Sequence, residues 1–207
     1  MVIQDILAYQ LDMIFDFLQV NWFEIVAAIL AIAYLILAML QDIRCWVAWI
    51  ISSLMYFFVM YSANLYMEAL LQIFYIFIGL YGLYQWRFMS DKNDALKITT
   101  WSVKNHLIVI GALVFLTSLS GYVLMIFTAA ASPFIDAFTT WGAIAASYLV
   151  AKKILENWFY WFVIDFVSVF LFISRELYPT ALLFIVYLVL VVIGYSAWRK
   201  SWQLADE

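Results

Sequence analysis

Long runs of apolar residues dominate the chain, and short polar or charged segments separate them. Seven such runs occur, at about 22–40, 45–62, 66–86, 106–128, 134–152, 157–174 and 178–198. Each has roughly the 17–25 residues that an α-helix needs to cross the hydrocarbon core of a bilayer. The runs are continuous rather than alternating, which excludes the strands of a membrane barrel. The pattern therefore predicts an all-α membrane protein with seven transmembrane helices.

The composition agrees with this prediction and removes several other classes of protein. Of the 207 residues, 69% are hydrophobic and 12% are charged, whereas soluble domains carry roughly 25% charged residues. With 10 basic against 14 acidic residues, the chain lacks the basic excess of a nucleic-acid-binding protein. A single cysteine, Cys45, and a single histidine, His106, cannot build a disulfide framework, a metal cluster or a nucleophile–base pair. We therefore expect no enzyme, no metal site and no cofactor.

Basic residues are divided very unevenly between the two sides that seven spans define. Arg175 stands alone on the side of the N-terminus, and nine lie opposite: Arg44, Arg87, Lys92, Lys97, Lys104, Lys152, Lys153, Arg199 and Lys200. The positive-inside rule places these nine in the cytoplasm. We therefore expect an outside N-terminus and a cytoplasmic tail at 201–207. Apolar residues at helical spacing within 1–21 predict a segment that lies in the membrane interface.

Two parts of the chain resemble each other at a spacing of 112 residues. The coinciding pairs include Trp46 with Trp158, Trp49 with Trp161, Tyr75 with Tyr187, Gly82 with Gly194 and Trp86 with Trp198. Because an even number of predicted spans separates each residue from its partner, both copies have the same orientation. This is the parallel-repeat plan of some transporters, although a duplicated receptor would share it.

The repeat predicts two parallel three-helix bundles, formed by helices one to three and five to seven. The expected boundaries are 22–87 for the first bundle, 88–132 for a cytoplasmic loop and the linker helix, and 133–200 for the second bundle. In transporters built from parallel repeats, the substrate lies near the membrane midplane between the halves. We therefore expect the binding residues to come from both copies.

Asp165 is the strongest candidate for binding chemistry inside the membrane. It lies about two turns into the sixth helix, where insertion scales charge about 2.5–3.5 kcal/mol for an acidic residue. Asn157, Trp161 and Ser168 share its helical face because their spacing follows the helical period. The alternative is a structural carboxyl group that bonds to a neighbouring helix.

The first copy of the repeat offers hydroxyl, amide and aromatic groups instead of a charge. Ser53 occupies the position equivalent to Asp165, so the expected site is asymmetric. Gln72 either contacts substrate or joins two helices. The candidate substrate-binding residues are Trp49, Ser53, Gln72, Tyr75, Asn157, Trp158, Trp161, Asp165 and Tyr187.

A carboxylate among Trp and Tyr side chains at membrane depth suits an organic cation, which each aromatic face attracts by about 0.5–2 kcal/mol. No second intramembrane acid or histidine forms a proton relay with Asp165, which favours facilitated diffusion. The last predicted helix also lacks the lysine that a retinal protein needs. The remaining groups are expected at the membrane surface, with Trp86 and Trp198 in interfacial belts and Lys152 and Lys153 reaching lipid headgroups.

Several motifs resemble the Pnu family of vitamin transporters. The stretch Glu156–Asp165 resembles the family signature NWxxWxxx(N/D), and 65–72, 81–86 and 194–198 resemble its third-helix and C-terminal segments. The resemblance covers about residues 22–201. It implies a fold related to the SWEET sugar transporters, a place in the bacterial inner membrane, and a homotrimer as in related members.

The resemblance also implies uptake of a vitamin that a cytoplasmic kinase then phosphorylates and traps. Nicotinamide riboside is the first expectation, and thiamine is the alternative because an acid at Asp165 suits either aromatic cation. A SWEET-like sugar transporter is a more distant alternative, since a neutral sugar does not require a buried acid.

Overall fold

The computed structural model describes residues 22–62, 66–88, 96–128, 132–174 and 178–205, so the predicted interfacial segment 1–21 lies outside the described residues. Seven helices occur in that part of the chain. They are α1 (Trp22–Met39), α2 (Arg44–Ser62), α3 (Tyr66–Phe88), α4 (Val103–Phe127), α5 (Pro133–Ala151), α6 (Asn157–Ser174) and α7 (Tyr178–Ala205). Each helix coincides with one predicted apolar run, so the all-α membrane fold is confirmed.

Five of these helices (α1, α3, α4, α5 and α7) are long and apolar enough to cross a membrane by themselves. The apolar stretches in α2 and α6 are shorter, Arg44–Val59 and Asn157–Leu171. The last helix continues to Ala205, beyond the end of its apolar run near 198. Polar residues end the part of a helix that suits lipid, but they do not end the helix itself.

The chain divides into two compact units. Among the described residues, unit 1 holds 22–37 and those within 43–80, and unit 2 holds 38–42 and those from 81 onward. In unit 1, the Ser52 hydroxyl donates to the Ala27 carbonyl at 2.8 Å and joins α2 to α1. The Trp49 Nε1 donates to the Tyr75 carbonyl at 2.7 Å and joins α2 to α3.

In unit 2, α5 packs against α4 and α6, and α6 packs against α7. Small residues on α5 are buried in this packing: Ala137, Gly142, Ala143, Ala146, Ser147 and Ala151. Small side chains let helix backbones approach closely, which is how helices associate in a membrane. By contrast, Gly121 is the one buried residue of α4, so α4 lies at the edge of the unit.

The repeat is visible in the backbone of two turns. Gln41 lies between α1 and α2, and Lys153 lies between α5 and α6, 112 positions later. Both have positive φ angles, 57° and 51°, a conformation that costs non-glycine residues roughly 1–2 kcal/mol. Their backbone N–H groups donate to the carbonyls of Ala38 and Val150 at 3.0 and 2.9 Å, which are again equivalent residues. The two turns therefore have the same backbone shape.

The two turns also exchange contacts crosswise within unit 2. The indole Nε1 of Trp86 donates to the Val150 carbonyl at 3.3 Å, and that of Trp198 donates to the Ala38 carbonyl at 2.9 Å. Both donors and both acceptors are related by the same offset of 112 residues. Lys153 Nζ donates to its own equivalent, Gln41 Oε1, at 3.2 Å. Equivalent residues touch each other at a two-fold axis, so the turns are related by local two-fold symmetry.

These contacts correct two expectations for groups at the membrane surface. Trp86 and Trp198 are 7% and 0% exposed, so they are not lipid-facing belt residues. Lys153 is 4% exposed, and its ammonium group lies 4.4 Å from the centre of the Trp86 ring. It therefore does not reach toward headgroups. A lysine is stable in this position because a hydrogen bond and an aromatic face replace its lost hydration.

We expect Gly194→Ala to destabilise the protein, because a Cβ at this position would collide with the six-membered ring of Trp158. Overpacking of this kind costs about 1–3 kcal/mol. Thermal unfolding of the purified protein in detergent measures the effect. Gly111→Ala is the matched control, since a Cβ there meets nothing within 4 Å. Equal unfolding temperatures for the two variants would contradict the packing described here.

Trp198→Phe keeps a ring in place but removes the donor to the Ala38 carbonyl. The Ala38 carbonyl keeps the Gln41 N–H as a donor but loses one buried hydrogen bond, which contributes about 0.5–1.5 kcal/mol, so we expect a lower unfolding temperature. Trp86→Phe should act in the same direction through Val150. Trp22→Phe serves as control because Trp22 is 58% exposed. If Trp198→Phe unfolds no earlier than this control, the crosswise hydrogen bond does not stabilise the fold.

Candidate functional site

Helix α6 has an aromatic outer face and a polar inner face. Phe162, Phe166 and Phe170 are exposed and form a ladder, with ring centres 6.4 and 5.0 Å apart. Asp165 and Ser168 on the opposite side are 4% and 3% exposed. The phenylalanines suit contact with lipid, so the polar residues of α6 are directed into the protein.

Asp165 is thus a buried acid about two turns from the start of a membrane helix. A carboxylate withdrawn from water needs hydrogen-bond donors or a positive partner to be stable in its charged form. Trp161, one turn earlier on the same helix, is partly exposed. This pair can offer both a negative charge and an aromatic surface to one ligand.

Asn157 and Trp158 begin α6 and lie deep in unit 2. Asn157 Nδ2 donates to the Ile154 carbonyl at 2.7 Å, whereas its buried Oδ1 has no hydrogen-bond partner among the described residues. Trp158 packs against Gly194 and meets the Trp198 ring edge-on, with ring centres 5.4 Å apart. The indole therefore fills space between α6 and α7, where it holds the start of the polar face in place.

An aromatic cluster occupies the corresponding region of unit 1. The ring of Trp49 lies between those of Tyr34 and Tyr75, with centre-to-centre distances of 4.4 and 5.2 Å. A Cβ at Gly79 would stand 2.7 Å from the Trp49 ring, so only glycine lets α3 approach this closely. The cluster is rigid because packing and the Trp49 hydrogen bond determine the orientation of its central indole.

The other predicted residues lie near this cluster in sequence or on the last helix. Ser53, one turn beyond Trp49, is 5% exposed. Gln72 on α3 and Tyr187 on α7 are partly exposed. Tyr187 meets Phe184, the repeat equivalent of Gln72, with ring centres 5.6 Å apart. Within unit 1 the structure joins Trp49 to Tyr75, and within unit 2 it places the polar residues of α6 on one face.

Tyr34 on α1 belongs to the aromatic cluster and was not among the predicted residues. It is 6% exposed and also contacts Trp46, at a ring-centre distance of 6.0 Å. Its repeat equivalent is Ala146, so the repeat carried no signal for it. The remaining signal is weak: Tyr34 is the one hydroxyl-bearing residue in a long apolar run of α1.

The sequence profile of a transporter family, described as nicotinamide mononucleotide transporter, matches residues 21–200. The chain belongs to this family. The match covers nearly all of the seven helices and confirms the predicted resemblance to the Pnu transporters. The protein is therefore a multi-pass membrane transporter and not an enzyme.

Two characterised members illustrate the breadth of the family. The chain is 26% identical over 206 residues to the nicotinamide riboside transporter PnuC of Escherichia coli, covering 87% of this chain and 86% of that protein. It is 28% identical over 185 residues to the riboflavin/roseoflavin transporter RibM of Streptomyces davaonensis, covering 86% and 84% of the two chains.

A solved structure supports the same assignment. The chain superposes on a crystal structure of the vitamin B3 transporter PnuC with a TM-score of 0.74 and 25% sequence identity. The superposition covers 93% of this chain and 86% of the other. The likeness therefore extends from the sequence to the fold, and the predicted class of a seven-helix, all-α membrane protein is confirmed.

Proposed function

We propose that this protein takes up nicotinamide riboside across the bacterial inner membrane by facilitated diffusion. The observation that carries the proposal is the match to nicotinamide riboside transporters along more than four-fifths of both chains. Facilitated diffusion is supported by the single acid on the buried face of α6, since a proton relay needs a chain of titratable groups.

The chemistry of the candidate residues suits this substrate. Nicotinamide riboside contains a pyridinium ring, a flat aromatic cation. The Asp165 carboxylate would balance its charge, and Trp161 would offer a ring face for a cation–π contact. In unit 1, Trp49 and Tyr75 would contribute further aromatic surface. Asn157, whose Oδ1 is an unused acceptor, and Ser53, Gln72, Trp158 and Tyr187 complete the proposed set.

Riboflavin is the second candidate because the identity to a riboflavin transporter, 28%, is no lower than that to the nicotinamide riboside transporters. Its ring system is neutral, however, and gains nothing from a buried carboxylate. Thiamine carries a fixed positive charge and fits Asp165 as well as the pyridinium does. These two vitamins are the competitors that a test of specificity has to include.

The sidedness we propose follows from the basic residues. One end of unit 2 is formed by segments that contact one another: the loops 96–102 and 152–156, the Gln41 turn and the end of α7. The basic residues of that end are Arg87, Lys97, Lys104, Lys152, Lys153, Arg199 and Lys200. By the positive-inside rule this end is cytoplasmic and the N-terminus is outside. At the cytoplasmic end, a kinase would trap the vitamin by phosphorylating it. The protein would act as a homotrimer, as its resemblance to the Pnu family implies.

Uptake into liposomes tests the proposed function. Purified protein in sealed vesicles should equilibrate radiolabelled nicotinamide riboside faster than empty vesicles, with every ion gradient collapsed. Unlabelled nicotinamide riboside should compete, whereas riboflavin, thiamine and a neutral sugar should not. Transport of riboflavin alone, or strict dependence on a proton gradient, would overturn the substrate or the mechanism respectively.

Asp165→Asn keeps the shape of the side chain and removes its charge. A charge-assisted contact contributes about 1.5–3 kcal/mol, so we expect the dissociation constant for nicotinamide riboside to rise roughly 10–100-fold. Calorimetric titration of the purified variant measures it. Asp136→Asn removes a charge in the first turn of α5 and should leave affinity unchanged. Unchanged affinity in Asp165→Asn would remove this carboxylate from the site.

Tyr34→Leu should also weaken binding, because the Trp49 ring loses the side chain that orients it. We expect a loss of about 0.5–1.5 kcal/mol, the contribution of one aromatic pair. Tyr122→Leu on α4 is the matched control, since Tyr122 is 55% exposed. The same titration compares the two variants. A larger loss in the control than in Tyr34→Leu would show that the cluster does not support the site.

A further inference from the structure

A cavity of unit 2 lies apart from Asp165 and Ser168 on the polar face of α6. It is a cleft of about 600 Å³ between α4, α5 and α6. Its walls are mainly apolar and include Ile110, Val114, Phe138, Phe159 and Val163. Its volume equals that of roughly 20 water molecules, yet apolar walls cannot hold water by hydrogen bonding. The cleft therefore needs an apolar occupant.

The cleft opens sideways through residues that face the membrane. Val114 on α4 is 63% exposed, and Phe159 and Val163 on α6 are 53% and 50% exposed. α4 itself is a membrane-spanning helix at the edge of the unit. Because this opening lies along two membrane helices, the acyl chains of the bilayer reach it directly.

One end of the cleft is polar. His106 Nδ1 and the Tyr160 hydroxyl are hydrogen-bonded at 3.0 Å, and His106 Nε2 lies 3.9 Å from Glu156 Oε2. Glu156 Oε2 accepts a hydrogen bond from the Trp101 backbone N–H at 3.3 Å. Lys104 is exposed in the first turn of α4. This end adjoins the loops of unit 2, so the cleft has a polar mouth at the membrane edge.

Two buried polar atoms of the cleft lack partners. Neither His106 Nε2 nor Thr117 Oγ1 has a hydrogen-bond partner among the residues described. Both residues line the cleft, and eleven positions of α4 separate them, about 16 Å along the helix axis. A buried polar atom without a partner is costly. The His106 atom therefore indicates a ligand with a hydrogen-bonding group at the mouth.

We propose that the cleft binds a membrane phospholipid. One acyl chain fills the space between α4 and α6, and the ester and phosphate groups lie at the mouth beside His106, Tyr160 and Lys104. The lipid hydrogen-bonds to His106 Nε2, and the Lys104 ammonium attracts the phosphate. Bound in this way, the lipid connects α4 to α6 in addition to the His106–Tyr160 hydrogen bond and the packing of both helices on α5.

Photolabelling in nanodiscs tests this proposal. The probe is phosphatidylglycerol with a diazirine in one acyl chain, diluted into phosphatidylethanolamine and phosphatidylglycerol. After irradiation, mass spectrometry of peptides should find adducts concentrated at residues 107–118 and 159–164. Val163→Trp fills the cleft and should lower the yield there several-fold. Val189→Trp is the matched control, because Val189 on α7 is 57% exposed and does not line the cleft.

Several outcomes distinguish the proposal from its competitors. Equal labelling of all lipid-facing helices, or equal yields in the two variants, would overturn it. Adducts absent from residues 107–118 and 159–164, in a sample whose native mass is that of an oligomer, would overturn the lipid and identify a second copy as the occupant instead. Added phosphatidylglycerol should also raise the unfolding temperature in detergent, for wild type and Val189→Trp but not for Val163→Trp. If Val163→Trp does not fold, Val114→Trp takes its place.

Discussion

The fold of unit 2 depends on a local two-fold contact between two copies of one turn. Each copy has a backbone carbonyl in the last turn of its helix, that of Ala38 in α1 and that of Val150 in α5. Each carbonyl accepts one hydrogen bond from the backbone N–H of its own turn, that of Gln41 or Lys153, and a carbonyl oxygen has a second lone pair. The indoles of Trp198 and Trp86 donate to that second position. Each tryptophan comes from a helix near the end of its own repeat, so the exchange ties the repeats to each other.

This arrangement explains why the repeat persists at some positions and not at others. A residue at the crosswise contact must suit both its own copy and the other one, so tryptophan occurs in both. The axis pair differs: Gln41 in one copy meets Lys153 in the other. Two lysines at an axis would repel each other, whereas lysine and glutamine form a hydrogen bond. The change of one partner makes the symmetric contact electrostatically possible.

Sequence pattern was sufficient for the helices, because length and hydropathy determine which segments suit a bilayer. The family also followed from motifs on α6 and α3. The environment of individual polar and aromatic groups was harder to predict. Trp86, Trp198 and Lys153 stand at helix ends, where belts and snorkelling are the usual expectation, yet their partners lie more than sixty residues away along the chain. Tyr34 was missed for the same reason, since its role in the aromatic cluster depends on contacts with Trp46 and Trp49 of α2, which no local sequence pattern indicates.

The division of α6 between two environments connects the packing to transport. A helix that carries Asp165 inside a membrane is stable only if its acidic face is kept from lipid. The Phe162–Phe166–Phe170 ladder provides the lipid-facing side, and Trp158, anchored on Gly194, sets the rotation of the helix about its axis. Rotation of this helix about its axis would expose the Asp165 side chain to hydrocarbon and bury the phenylalanine ladder. The energetic cost of that rotation keeps the polar face directed inward, where the proposed cationic substrate would meet the acid.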